Sequence, residues 1–140
     1  MQRSNPKTTP MNIRRWIIPI LILAINALVI IVRWISLPEL LPAHFDLQGN
    51  AGGTMPRGML ILYLLCSIAF GLISFVATLV KPRLQKTMAI LATGVTFIVL
   101  LSTLVTLTSG TMPVLMIAEP VVLLITVVFA VISLIKTRRK

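Results

Sequence analysis

A chain of 140 residues that is 57% hydrophobic and only 11% charged is not an ordinary soluble domain, in which ~25% of residues are charged. Its formal charge of +10 does not make it a nucleic-acid binder, because the basic residues flank apolar runs and no aromatic-basic motif accompanies them. One cysteine, Cys66, lies inside an apolar run, which excludes an intramolecular disulfide and gives no basis for redox chemistry.

Residues 1–11 are polar and contain Arg3 and Lys7 without apolar periodicity, and read as a flexible tail. Arg14 and Arg15 then precede an apolar run over 16–35. The run is too long for a signal peptide and ends in Arg33-Trp34 rather than a small-residue cleavage site, so it reads as a first transmembrane helix. Pro19, Asn26 and Arg33 are spaced by seven and fall on roughly one face, which should point into a bundle. Asn26 is expected to make a helix-packing hydrogen bond and Arg33 to snorkel to the interface. A polar path into the core is the alternative for these intramembrane polar residues.

The interval 37–58, LPELLPAHFDLQGNAGGTMPRG, is the one long polar stretch. It holds the single histidine, His44, with Glu39 and Asp46. Pro38 and Pro42 fix their own φ and push Leu37 and Leu41 toward extended backbone, so no helix runs through both. Gly49, Gly52, Gly53 and Asn50 tolerate positive φ and predict a sharp reversal, giving a compact hairpin or Ω-like loop. Leu40, Leu41, Phe45 and Leu47 are too apolar for a solvated linker, so the loop should be an ordered cap resting on the helix ends or the membrane surface.

The proline pair followed by His-Phe and Gly, Leu37-Pro38, Leu41-Pro42-Ala43-His44-Phe45 and Gly49, resembles the bacterial membrane family known as domain of unknown function 1648. That family also forms the amino-terminal part of immunity proteins against a sporulation-delaying toxin. The resemblance covers the first helix, the loop and the second helix. It implies partner recognition through Pro42, His44, Phe45, Asp46 and Gly49. Two features depart from the pattern: Asn50-Ala51-Gly52-Gly53 stands where the family often has Pro-Asp, and Arg57 stands near the position of a later lysine.

A second run, 59–80, carries no charge, and Ser67 and Gly71 within it are placed for close helix contact. A short basic turn from Lys81 to Thr87 leads to a third run, 88–108, with Thr93, Thr96, Thr103 and Thr106 near one face. Those hydroxyls are expected to bond their own backbone. Residues 109–112 allow only a tight connection to a fourth run, 113–135, where Pro113 suits a first-turn position. Glu119 lies ~9 Å into that helix and precedes Pro120. A charge at a helix centre in the bilayer costs roughly 2.5–3.5 kcal/mol, so Glu119 calls for a partner such as Arg33, or for a proton or cationic ligand.

The chain therefore reads as a single all-α membrane domain over 1–140, four transmembrane helices in a bundle with one ordered extracytoplasmic loop at 36–58. Eleven of the thirteen basic residues fall on the side of the termini, which places both termini in the cytoplasm, and the resemblance implies a bacterial inner membrane. One histidine in the whole chain gives too few ligands for a catalytic zinc, and no nucleophile–base pair or phosphate-binding glycine loop is present. Neither an enzyme, a metal nor a cofactor is expected. The expected partners are the lipid bilayer, an extracytoplasmic peptide or membrane protein, and a second copy of the chain. The function expected is binding, as an immunity, sensing or accessory factor acting through the His-Phe loop. The alternative is a small proton- or cation-coupled transporter using Glu119.

Overall fold

The computed structural model describes residues 12–46, 50–108 and 113–138, the last segment with side chains from residue 117 onward. The expected tail over 1–11, the turn over 109–112, and the roles given to Leu47, Gly49, Arg3, Lys7, Arg139 and Lys140 lie outside the described residues.

Four helices form the body: α1 Ile17–Arg33, α2 Gly58–Val80, α3 Gln85–Leu107 and α4 Pro113–Arg138. With flanking 3-10 turns, their apolar stretches run to between 22 and 26 residues at mean hydropathy 2.3 to 2.5. At ~1.5 Å per residue each exceeds the ~30 Å hydrocarbon layer. Their outer faces carry Ile, Leu, Val and Phe in contact with the surroundings, as a lipid solvent requires.

α3 is the central helix, packing against α1, α2 and α4, whereas α4 makes its extensive helix contacts with α3. Accordingly 44% of the apolar stretch of α3 is buried, against 17–22% for the others. Small residues make this possible, since apolar transfer does not drive helices together in lipid and close backbone approach must do so instead. Ala89, Ala92, Gly94, Thr96 and Thr103 are all buried along α3. At Gly94 an added Cβ would overlap the Thr126 side chain of α4, so this glycine sets the α3–α4 crossing. Ser67 is buried as expected, but Gly71 is not a close contact; nothing lies within 4 Å of where its Cβ would be. It borders an apolar cavity of about 340 Å³ instead.

Two helices extend beyond their apolar runs. Residues 85–87, expected in the basic turn, open α3: Gln85 is buried, donates from Nε2 to the Asn12 carbonyl (3.1 Å) and accepts from the Asn12 N–H (3.2 Å). The Thr87 hydroxyl donates to Ser133 Oγ of α4 at 3.0 Å. α4 continues to Arg138, because Lys136 and Arg138 are good helix formers that complement the C-terminal dipole.

The polar loop is a β-hairpin. Strands β1 Leu40–Pro42 and β2 Thr54–Pro56 pair antiparallel, with Leu41 opposite Met55, and a further bridge joins Phe45 to Ala51. Leu41 and Met55 face down and form a buried cluster with Ile30 of α1 and Leu60 of α2, flanked by Trp34 and Tyr63. Burying two such side chains stabilises the hairpin on the helix ends by roughly 1.5–3 kcal/mol each. Leu40, expected to share this role, is exposed because strand alternation turns it outward.

Candidate functional site

Beneath the hairpin lies a cavity of about 360 Å³. Ala43, His44, Phe45 and Met55 form its roof, Tyr63 of α2 one wall, and Glu119 of α4 the other. Val99, Ser102, Val105 and Thr106 of α3 line it between them. Tyr63 and Glu119 are five and six residues inside their helices, so the floor lies ~8–9 Å below the helix ends.

Local structure places each polar group. The backbone ladder continues past the strands, with the Ala43 N–H donating to the Gly53 carbonyl (3.0 Å) and the Gly52 N–H to the His44 carbonyl (2.9 Å). Gly52 is opposite His44, and a Cβ there would overlap the imidazole. Gly53 takes φ 103°, a conformation that favours glycine. The glycine pair thus leaves room for the His44 ring on the hairpin. At the tip, Asp46 Oδ1 accepts from the Asn50 N–H and Oδ2 from Asn50 Nδ2, both at 2.8 Å. The base is tied by Arg57, whose N–H donates to the Glu39 carbonyl (2.9 Å) and whose guanidinium lies 5.0 Å from the Trp34 ring centre.

Beyond Thr87, which bonds Ser133, the hydroxyls of α3 divide into two groups. Thr93, Thr96 and Thr103 donate to the carbonyls of Ala89, Thr93 and Val99, as expected of threonines in membrane helices. Ser102 and Thr106, both on the cavity, have no hydrogen-bond partner among the described residues. Nor does the half-buried Glu119 carboxylate. Tyr63 makes only a long contact to Met55 Sδ, 3.7 Å. Hydrogen-bonding capacity that is consumed elsewhere along α3 thus has no partner among the described residues where the helix meets this space.

The residues singled out from the sequence separate. His44, Phe45 and Glu119 meet in the cavity. Asp46 is not among its lining residues and closes the hairpin tip, and Gly49 lies outside the described residues. Pro42 borders a smaller cavity of about 160 Å³ together with Arg33. The Glu119–Arg33 pair is not formed: Arg33 ends α1 exposed on that second cavity, and no ion pair joins the two. The three-residue face of α1 also breaks at Arg33, since Pro19 and Asn26 are buried and Arg33 turns out, avoiding desolvation of its guanidinium. Asn26 is 1% exposed, yet neither side-chain atom has a hydrogen-bond partner, so the expected packing bond is absent. Among the described residues no three His, Cys, Asp or Glu side chains gather as a metal site. Tyr63, Ser102 and Thr106 were missed as site residues, although Ser102 and Thr106 are four apart and share a helix face.

Four lipid-facing helices with a small, polar-lined cavity under a hairpin at one end define a multi-pass membrane protein. Residues 21–67, spanning most of α1, the hairpin and the first part of α2, match the family described as Domain of unknown function (DUF1648). No match was found among curated proteins or solved structures. The matched segment supplies His44, Phe45, Met55 and Tyr63, whereas Ser102, Thr106 and Glu119 come from helices beyond it.

Proposed function

We propose that this protein is a membrane binding protein of the immunity or sensing kind, which takes a cationic, apolar-flanked group of an extracytoplasmic peptide or envelope protein into the hairpin-roofed cavity. The observation that carries this reading is the convergence of His44 and Glu119 on one cavity with the hydroxyls of Ser102 and Thr106, which have no partner among the described residues. Glu119 supplies the counter-charge, and the hydroxyls and imidazole accept or donate hydrogen bonds. Phe45 and Tyr63 give the cation an aromatic face. A volume of about 360 Å³ suits the end of a peptide or one long side chain, not a folded partner. The division of basic residues turns the hairpin outward from the cytoplasm of a bacterial inner membrane.

The test is calorimetric titration of the full chain in lipid nanodiscs with a short apolar peptide bearing a free N-terminal ammonium, against the same peptide N-acetylated. Only the free amine should bind, and Glu119→Gln should weaken it about 10- to 150-fold, the value of one hydrogen bond to a charged group. Equal binding of both peptides would remove the charge-recognition reading. Proton-linked, Glu119-dependent movement of the peptide across liposomes would replace it with the small transporter.

A further inference from the structure

A second concavity lies at the opposite end of the bundle and shares no lining residue with the hairpin cavity. α1 and α4 flank α3 without extensive contact with each other, leaving a groove of about 550 Å³. Its floor is Ala89, Thr93 and Gly94 of α3, and its walls include Ile18 of α1 and Phe129 of α4. The two hydroxyls facing it, Thr93 and Thr126, are bonded to the carbonyls of Ala89 and Val122, so the surface is apolar in effect. Arg15 and Lys86 stand on its rim.

Among the described residues these two cations have no anionic side-chain partner. The chain's three acidic residues are Glu39, Asp46 and Glu119; the first two are on the hairpin and the third lines the hairpin cavity. α1 and α3 both begin at the rim, adding the positive ends of their dipoles to the same locus. Along α3 the groove runs from Lys86 to Phe97, ~16 Å at the helical rise. That matches half of the ~30 Å hydrocarbon layer. A paired cationic rim above an apolar channel one leaflet deep has the dimensions of one lipid.

We propose that this groove is a specific site for an anionic phospholipid, whose phosphate bridges Arg15 and Lys86 while one acyl chain lies over Ala89 and Gly94 between α1 and α4. The occupant completes the bundle on the side where α4 lacks a second helix neighbour.

Native mass spectrometry of the full chain in non-ionic detergent, titrated with phosphatidylglycerol or phosphatidylcholine of identical chains, tests this. One phosphatidylglycerol should bind ahead of phosphatidylcholine. Arg15→Gln with Lys86→Gln should weaken it about 10- to 30-fold, on the scale of the attraction of two basic residues to an anionic headgroup. Lys81→Gln with Lys136→Gln, which removes two charges from the same end outside the groove, should leave binding unchanged. Equal loss from both pairs would overturn the site in favour of general surface attraction. Inorganic phosphate competing as well as the lipid would reduce it to a headgroup site without the channel. A lipid-free dimer as the sole species would assign the groove to a second copy of the chain.

Discussion

Gly94→Ala isolates the close approach of α3 and α4. The added Cβ would lie 2.7 Å from Thr126 Cβ, with Cγ2 and Oγ1 closer still. Carbon contacts relax at ~3.5–4.0 Å, so α4 must retreat by about 1 Å, since a new Thr126 rotamer would move Cγ2 and Oγ1 but not Cβ. Overpacking of this kind costs roughly 1–3 kcal/mol, against roughly 0.5–1 kcal/mol gained from replacing a helical glycine with alanine. The net expectation is a loss of about 0–2.5 kcal/mol, rising for Gly94→Leu, which adds bulk without comparable gain in propensity. Reversible unfolding in mixed micelles measures it, and Thr126→Ala supplies the second corner of a double-mutant cycle. Removing Cγ2 and Oγ1 should restore part of the loss, giving an interaction of about 0.5–3 kcal/mol. If Gly94→Ala stabilises the protein by its full helix propensity and the cycle is additive, the two helices do not meet at this level.

Topology is tested by thiol labelling in a Cys66→Ser background, which removes the one native thiol, on the lipid-facing side of α2. Ala51→Cys should react with a membrane-impermeant maleimide in intact cells and Lys81→Cys only after permeabilisation, with the opposite result inverting the orientation. Both positions are exposed, whereas Asn50 holds Asp46 and Gln85 is buried against Asn12. At the hairpin, Gly52→Ala should expel the imidazole and weaken peptide binding about as much as His44→Ala, roughly 2- to 10-fold for one neutral hydrogen bond. Stability should shift by no more than about 0.5 kcal/mol, since the displaced His44 ring is already exposed. A Gly52→Ala variant with native affinity would show that the position of His44 does not matter to binding.

The helices were legible because lipid imposes one rule on every residue of a span: apolar and long enough. The hairpin was legible in outline from Pro38, Pro42 and the glycines, but strand register was not, and register decides that Leu41 is buried and Leu40 exposed. Asp46 looked like a ligand beside His44 because sequence distance is short; in space its carboxylate is occupied by Asn50. Glu119 and Arg33 suit each other on depth and charge alone. Depth carries no information about azimuth around the bundle, and they border different cavities. Ser102 and Thr106 differ from their neighbours only in what faces them, which one helix's sequence does not state.

The attachment of α4 along α3 has a consequence for biosynthesis. The hairpin, α2 and α3 precede α4 in the chain, so Tyr63, Ser102 and Thr106 can enter the membrane before the wall carrying Glu119 docks. Lipid can solvate that open flank of α3 in the interval, and docking of α4 must displace it. The cavity is thus completed by the last of the four helices to arrive, and a form with α4 undocked would display the hairpin without the Glu119 carboxylate.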